Sequence, residues 1–256
     1  MFAGPIVGSG RPRSMGQSMQ PPIRLWGVDA RLHLLTGGHR NLAYRTRGLH
    51  RDYVFKSTRR PPEAIEWLVP VHTAARECGF VVPFLLRSHL GNLVEQGWTC
   101  ETCLEGTAFA MADMPSLLPA LARFHALCQS VPQRPGFQSS QDLLQATTGG
   151  DVDLCQMPPD VVTICRAAWQ AVGQGKLSVV HGDLNPSNLL RLRDGSVARL
   201  DWDECRRDLV LFDLGQVTPA TPVQRCALLA WEVACSWKIE PLYAQQGVTR
   251  LRQALG

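Results

Sequence analysis

The stretch Val179-Val180-His181-Gly182-Asp183-Leu184-Asn185-Pro186-Ser187-Asn188-Leu189-Leu190, followed by Ala198-Arg199-Leu200-Asp201, limits the fold more than any other part of the chain. The apolar run 177–180 reads as a short buried strand. Gly182 and Pro186 prevent it from continuing, so 181–188 reads as a loop. A second strand starts at Leu189, turns at Asp194-Gly195 and returns over 196–200. Asp-Gly between apolar runs is a strong hairpin signal, because both residues tolerate positive φ. A two-residue loop pairs Arg193 with Ser196 and, counted outward, sets Asn188 opposite Asp201. Cross-strand Cβ atoms lie roughly 4.5–5.5 Å apart. A carboxylate and an amide oxygen at that separation can grip one hard cation such as Mg²⁺. Asp183 sits on the adjoining loop, where its side chain can face a substrate.

Phosphoryl transfer uses such a set: one carboxylate to orient a hydroxyl and take its proton, and an Asp and an Asn to hold Mg²⁺ on a triphosphate. The spacing from Asp183 to Asn188 fits the H-R-D-x-x-x-x-N catalytic loop, with Gly182 in place of the arginine. Ordinary turn chemistry, in which Asp and Asn cap loops, is the bland explanation. Loop, spacing, hairpin and second Asp occurring together make it the weaker one.

HGDLNPSNLL followed by RLDWDE resembles the aminoglycoside phosphotransferase and choline kinase family, small-molecule relatives of the protein kinases, over roughly residues 30 to 215. The resemblance implies an α+β, bilobal protein-kinase-like fold. A small antiparallel, β-rich N-lobe over 25–104 would bind nucleotide, and a mainly helical C-lobe over 105–256 would carry catalytic loop, metal site and substrate side. It implies ATP and Mg²⁺ as cofactors, Asp183 as the catalytic residue, and Asn188 and Asp201 as metal ligands. Lys56, ending a strand over 52–56, would contact the α/β-phosphates, although a solvated strand-end lysine is the plain alternative. The glutamate expected to pair with it falls where Val69 or Pro70 stands, so Glu66, one turn earlier, is favoured over Glu63 and Glu77. Gly37 and Gly38 would let the first hairpin approach a phosphate, though a plain turn explains them as well. Backbone groups of Thr102 and Leu104 would meet the adenine. Asp213, in Phe212-Asp213-Leu214-Gly215, would brace the catalytic loop, with His181 and His125 in structural roles. Asp203 reads equally as a ligand or as a solvated side chain.

Elsewhere the pattern is coarser. Residues 62–78 carry a helical rhythm interrupted by Pro70, which predicts a kink or two short helices, with His72 in the core. Further helices are expected over 117–128, 161–172, 223–237 and 248–255, and a turn-rich surface excursion over 132–150. The chain is 45% hydrophobic and 19% charged, an ordinary globular balance. A net charge of +4 without a basic stripe gives no reason to expect nucleic acid. Nine cysteines form no framework spacing, and several fall among apolar residues, which fits a reducing, cytoplasmic setting. Cys100-x-x-Cys103 lacks the second half of a zinc site. No apolar run reaches membrane-span length, and 1–24 reads as a disordered tail rather than a signal peptide.

These features converge on an ATP-dependent phosphotransferase moving the γ-phosphate to a hydroxyl of a small molecule: a sugar, an amino alcohol or an aminoglycoside-like compound. The alternative is a catalytically weak, kinase-like nucleotide-binding module acting through protein partners.

Overall fold

The structure is a computed structural model that describes residues 20–36 and 40–255. Gly37 and Gly38 lie outside the described residues, as does most of the segment read as a tail. In chain order, β1 (His33–Leu35), β2 (Ala43–Arg45) and β3 (Tyr53–Ser57) lead into α1 (Pro62–Glu66) and α2 (Leu68–Glu77). Then come β4 (Phe80–Val81), β5 (Leu85–Leu86), β6 (Val94–Glu95), β7 (Trp98–Thr102) and β8 (Thr107–Ala108). The second half holds α3 (Leu118–Leu127), β9 (Thr148–Gly149), β10 (Val152–Asp153), α4 (Pro159–Val172), β11 (Leu177–Val180), β12 (Leu189–Arg191), β13 (Val197–Arg199) and β14 (Arg206–Leu209). Three helices end it: α5 (Leu211–Val217), α6 (Pro222–Ser236) and α7 (Pro241–Leu255). An antiparallel sheet in the first half and a mainly helical second half make up the α+β, bilobal arrangement.

The first sheet has six strands, in the order β1-β2-β3-β7-β5 with β6 also on β7. Val54 and Phe55 in β3 are both buried but on opposite faces, and Lys56, on the Val54 face, pairs with Thr99 on β7. Phe55, Trp98, Cys100 and Val28 form the small core beneath this sheet.

Helix α1 stops at Glu66 because Pro70 has no N–H to offer the Glu66 carbonyl. Pro70 then fits within the first turn of α2, so the expected break becomes two short helices. Val69, on the expected apolar face, is exposed, while Leu68, Val71, His72 and Ala75 are buried. These α2 side chains share a core with Leu121, Phe124, Val179 and Leu184 from the second half of the chain. Burying Leu68 and Val71 there stabilises by about 1.5–3 kcal/mol each, so the helix is fastened to the side that bears the 181–188 loop. Strand β4 follows suit by pairing in parallel with β13.

The β12–β13 hairpin departs from the expected register. Leu189 pairs with Arg199 and Arg191 with Val197, and Leu192 N–H donates to the Ser196 carbonyl at 2.9 Å. The loop is therefore Arg193-Asp194-Gly195, three residues with Gly195 at φ +82°. The Asp194 carboxylate accepts from both the backbone and hydroxyl of Ser196, at 2.9 and 2.6 Å, which closes this turn. A left-handed third residue is the usual way to absorb the extra position. Asn188 consequently faces Leu200, not Asp201.

Residues 132–150 also differ from expectation. Arg134, Ser140 and Leu143 are fully buried, so this segment packs into the larger half and is no surface excursion. Helices α4, α6 and α7 enclose the remaining core around Trp169 and Trp231. A capping box starts α6: Thr221 Oγ1 accepts from Gln224 N–H, and Gln224 Oε1 accepts from Thr221 N–H at 2.9 Å. No helix among the described residues is long and apolar enough to cross a membrane.

Candidate active site

A buried carboxylate holds the loop after β11 in place. Asp213, at the start of α5, accepts the backbone N–H groups of His181 and Gly182 at 2.9–3.2 Å and His125 Nε2 at 3.0 Å. Burial alone would raise its pKa, but His125, Arg199 and His181 outweigh that and hold it well below the carboxylate range. His181 Nε2 donates to the Leu200 carbonyl at 2.8 Å, since a carbonyl can only accept. Burial first, then Arg199, pushes its pKa down and keeps the ring neutral. Arg199 is fully buried, 3.7 Å from Asp213 and stacked among Phe80, Phe124 and Trp202.

Gly182, where the kinase loop has arginine, is set by two constraints. Its φ is +83°, and a Cβ would lie 2.6 Å from Arg206 Nη1 and 2.7 Å from the Glu204 carbonyl oxygen. Only glycine meets both without strain.

From this brace Asp183 faces a cleft of about 480 Å³ that Asn188, Asp201 and Lys56 also line. Asn185 Nδ2 donates to Asp183 Oδ1 at 2.7 Å, and Asn188 Nδ2 donates to Oδ2 at 2.8 Å. With its nitrogen on Asp183, Asn188 retains its amide oxygen for a cation. Asp201 reaches the cleft in spite of the altered hairpin register. A one-residue slip should turn it to the opposite face. Its backbone is left-handed at φ +55°, a rare state for a non-glycine residue that breaks the strand's alternation there.

The donor chemistry fits Mg²⁺. Asp201 and Asn188 offer hard oxygens of the kind Mg²⁺ takes alongside water and phosphate, so these two residues would hold it. Among the described residues, no group of three or more His, Cys, Asp or Glu is arranged to hold a metal on its own.

Lys56 and Glu66 are not brought together. Glu66 is at the surface, with its two carboxylate oxygens 2.6 and 2.7 Å from Arg87. Lys56 Nζ instead lies 2.9 Å from Glu101 on the neighbouring strand. Burial opposes its charge, but Glu101, Asp201 and Asp203 together raise its pKa above the usual ammonium range. Thr102 and Leu104 do not line the cleft. The backbone N–H of Thr102 already donates to Phe84 at 3.0 Å within the sheet.

Sequence reasoning missed a set of acid–arginine contacts across the cleft. Arg40, following the first hairpin turn, contacts Asp151 and Glu204. Arg60 grips Asp203 at 2.8 and 3.1 Å and Asp151 at 2.9 Å, so Asp203, which lines the cleft, is held in an ion pair rather than left to solvent. Burial would raise the Asp203 pKa, and Arg60 more than reverses that. These partners come from four separate stretches, and no motif links them. Farther along, the cleft is lined by Trp231, Glu232, Glu240 and Tyr243.

The phosphotransferase enzyme family matches residues 31–230. Among solved structures, choline kinase LicA from Streptococcus pneumoniae superposes with a TM-score of 0.65 at 12% identity, covering 89% of this chain and 94% of that one. Spectinomycin phosphotransferase APH(9)-Ia, solved with ADP and spectinomycin, gives 0.56 at 11% identity over 91% and 90%. A ternary complex of a thermostable aminoglycoside phosphotransferase APH(4)-Ia mutant with AMP-PNP and hygromycin B gives 0.59 at 12% over 91% and 95%. No curated protein matches the sequence. At these identities the structural neighbours speak for the kinase-like fold, while the match over 31–230 makes the chain a member of the phosphotransferase enzyme family.

Proposed function

We propose that the protein transfers the γ-phosphate of ATP to a hydroxyl group of a small molecule. One observation carries the reading: the Asp183 carboxylate, gripped by two asparagine amides, shares a cleft with Lys56, Asn188 and Asp201. Lys56 would hold the donor phosphates, its ammonium kept charged by neighbouring acids. Asp183 would orient the acceptor hydroxyl and take its proton while the oxygen bonds to phosphorus and ADP departs. The two amides fix the carboxylate's direction before the acceptor arrives, so little reorganisation is needed during transfer. Asn188 and Asp201 would hold Mg²⁺, which supplies positive charge to the transferring group when bound.

The far end of the cleft favours an amine-bearing alcohol over an anionic one. Glu232 and Glu240 line it. None of the four basic residues of 221–256 lines it: Arg252 pairs with Asp160, Arg225 donates to the Ala220 carbonyl, and Arg250 lies over the Tyr243 ring. A panel of sugars, amino alcohols and aminoglycosides, read by ADP release, tests the reading. At least one acceptor should support turnover that Asp183→Asn removes. An Asp183→Asn or Asp201→Ala protein that turns over like wild type overturns it.

A further inference from the structure

In the kinase arrangement the phosphate-binding lysine is paired with a glutamate borne by a helix. Here the positions that would supply it hold Val69 and Pro70, yet Lys56 is not left unpaired. We propose that Glu101 is the residue that positions Lys56, and that helices α1 and α2 have no part in holding the nucleotide. This rests on the reading of Lys56 as a ligand of the donor phosphates.

Strand register provides the pair. Lys56 faces Thr99 across β3 and β7. Side chains two apart on a strand share a face, so Glu101 is the diagonal neighbour of Lys56, within reach of a long side chain. The Glu101 carboxylate takes up that reach at 2.9 Å, and both side chains are mostly enclosed. Glu66 is committed elsewhere, to Arg87 at the surface.

The helices, meanwhile, touch the sheet through Glu66–Arg87 and Leu85 but are fastened to the other side of the cleft as well. Arg134 Nε donates to the Ala64 carbonyl at 2.9 Å, while its Nη1 donates to the carbonyls of Asp203 and Cys205 at 2.8 and 3.0 Å. Trp67 Nε1 donates to the Pro132 carbonyl at 3.0 Å, and α2 shares its core with the catalytic-loop side. A carboxylate on these helices would be held from both sides of the cleft, whereas Lys56 belongs to the six-stranded sheet alone. Glu101 lies in that sheet beside Lys56, so the pair keeps its geometry whatever the spacing between the two sides. Repositioning of α1–α2 then cannot switch the lysine on or off.

The test is a double-mutant cycle of Lys56→Met and Glu101→Gln in the full chain, with KM for ATP, kcat and denaturant midpoint measured on all four proteins. An interaction that positions a ground-state phosphate ligand appears in KM more than in kcat. Glu101→Gln should raise KM for ATP about tenfold, the size of a typical contact coupling, and add nothing in the Lys56→Met background. Glu101→Asp, which keeps the charge and withdraws it by one methylene, should fall between, and replaces Glu101→Gln in the cycle if that protein does not fold. Glu66→Gln, which removes the rival carboxylate, should leave KM unchanged. Additive effects of Lys56→Met and Glu101→Gln, or a Glu66→Gln effect matching that of Glu101→Gln, would overturn the proposal. If the wild-type protein binds no ATP, the functional reading fails on its own. The denaturant midpoints of the same four proteins then still decide whether Lys56 and Glu101 are coupled.

Discussion

The two walls of the cleft are built on different principles. On the loop wall, Asp183 is placed by neighbours within five residues and by backbone N–H groups that converge on one buried carboxylate. On the sheet wall, Lys56 is placed by a side chain on another strand, brought close only when β3 and β7 pair. A wall fixed by backbone donors tolerates little change in its brace. A wall fixed by one charge pair can recruit its partner from any adjacent strand.

The contrast is most severely tested at its reactive end. Asp183→Asn should lower kcat by about 10²–10⁴-fold, the usual worth of a positioned general base, and leave the unfolding midpoint unchanged. A loss of stability instead would show the loop wall to be less rigidly braced than described. Asp213→Ala should remove activity and stability together, because it strands Arg199 and orphans two backbone donors. Breaking a buried pair of this kind costs about 3–5 kcal/mol, measurable by denaturant unfolding. Gly182→Ala comes next, at about 1–3 kcal/mol for a strained backbone, with turnover reduced because the strain falls one residue from Asp183.

Acid should separate the buried groups by pH window. The depressed pKa of Asp213 means its contribution is complete above the ordinary carboxylate range and is lost only as pH falls through its lowered value. His72 acts in a higher window. Burial, then Arg76, Arg134, His181 and Lys56, keep it neutral when folded, whereas the unfolded chain protonates it below about pH 6.5. Unfolding midpoints should therefore fall between about pH 7 and 5, and His72→Phe, which keeps the contact with Trp202, should flatten that slope. The smallest effect belongs to Glu66→Gln, whose pair with Arg87 is solvent-screened. Its midpoint should match wild type, and a clear drop would mean that α1 is held from its outer face.

What could be read from the sequence follows the same division. Asp183, Asn188 and Asp201 lie within one loop and its hairpin, so their spacing announces their proximity. Even there the pairing count slipped by one, since Asp194-Gly195 is compatible with two- and three-residue turns and only the Asp194–Ser196 contacts choose between them. Asp201 still reached the cleft through a backbone state that periodicity does not encode. Glu101 was invisible because its role depends on which strand β7 joins and in what register. Glu66 was attractive for the opposite reason: helix spacing favours near positions, whereas the break that Pro70 imposes and the pull of Arg87 direct it outward. The buried acid–arginine contacts of Asp151 and Asp203 required long-range packing to find.

The core that α2 shares with the catalytic-loop side has a practical corollary. Dividing the polypeptide after Leu104, where chain order suggests a seam, would cut through one continuous apolar interior. Each fragment would carry half of it, exposed to water. The two pieces would be expected to mature only by finding one another, as complementing halves rather than as independent modules.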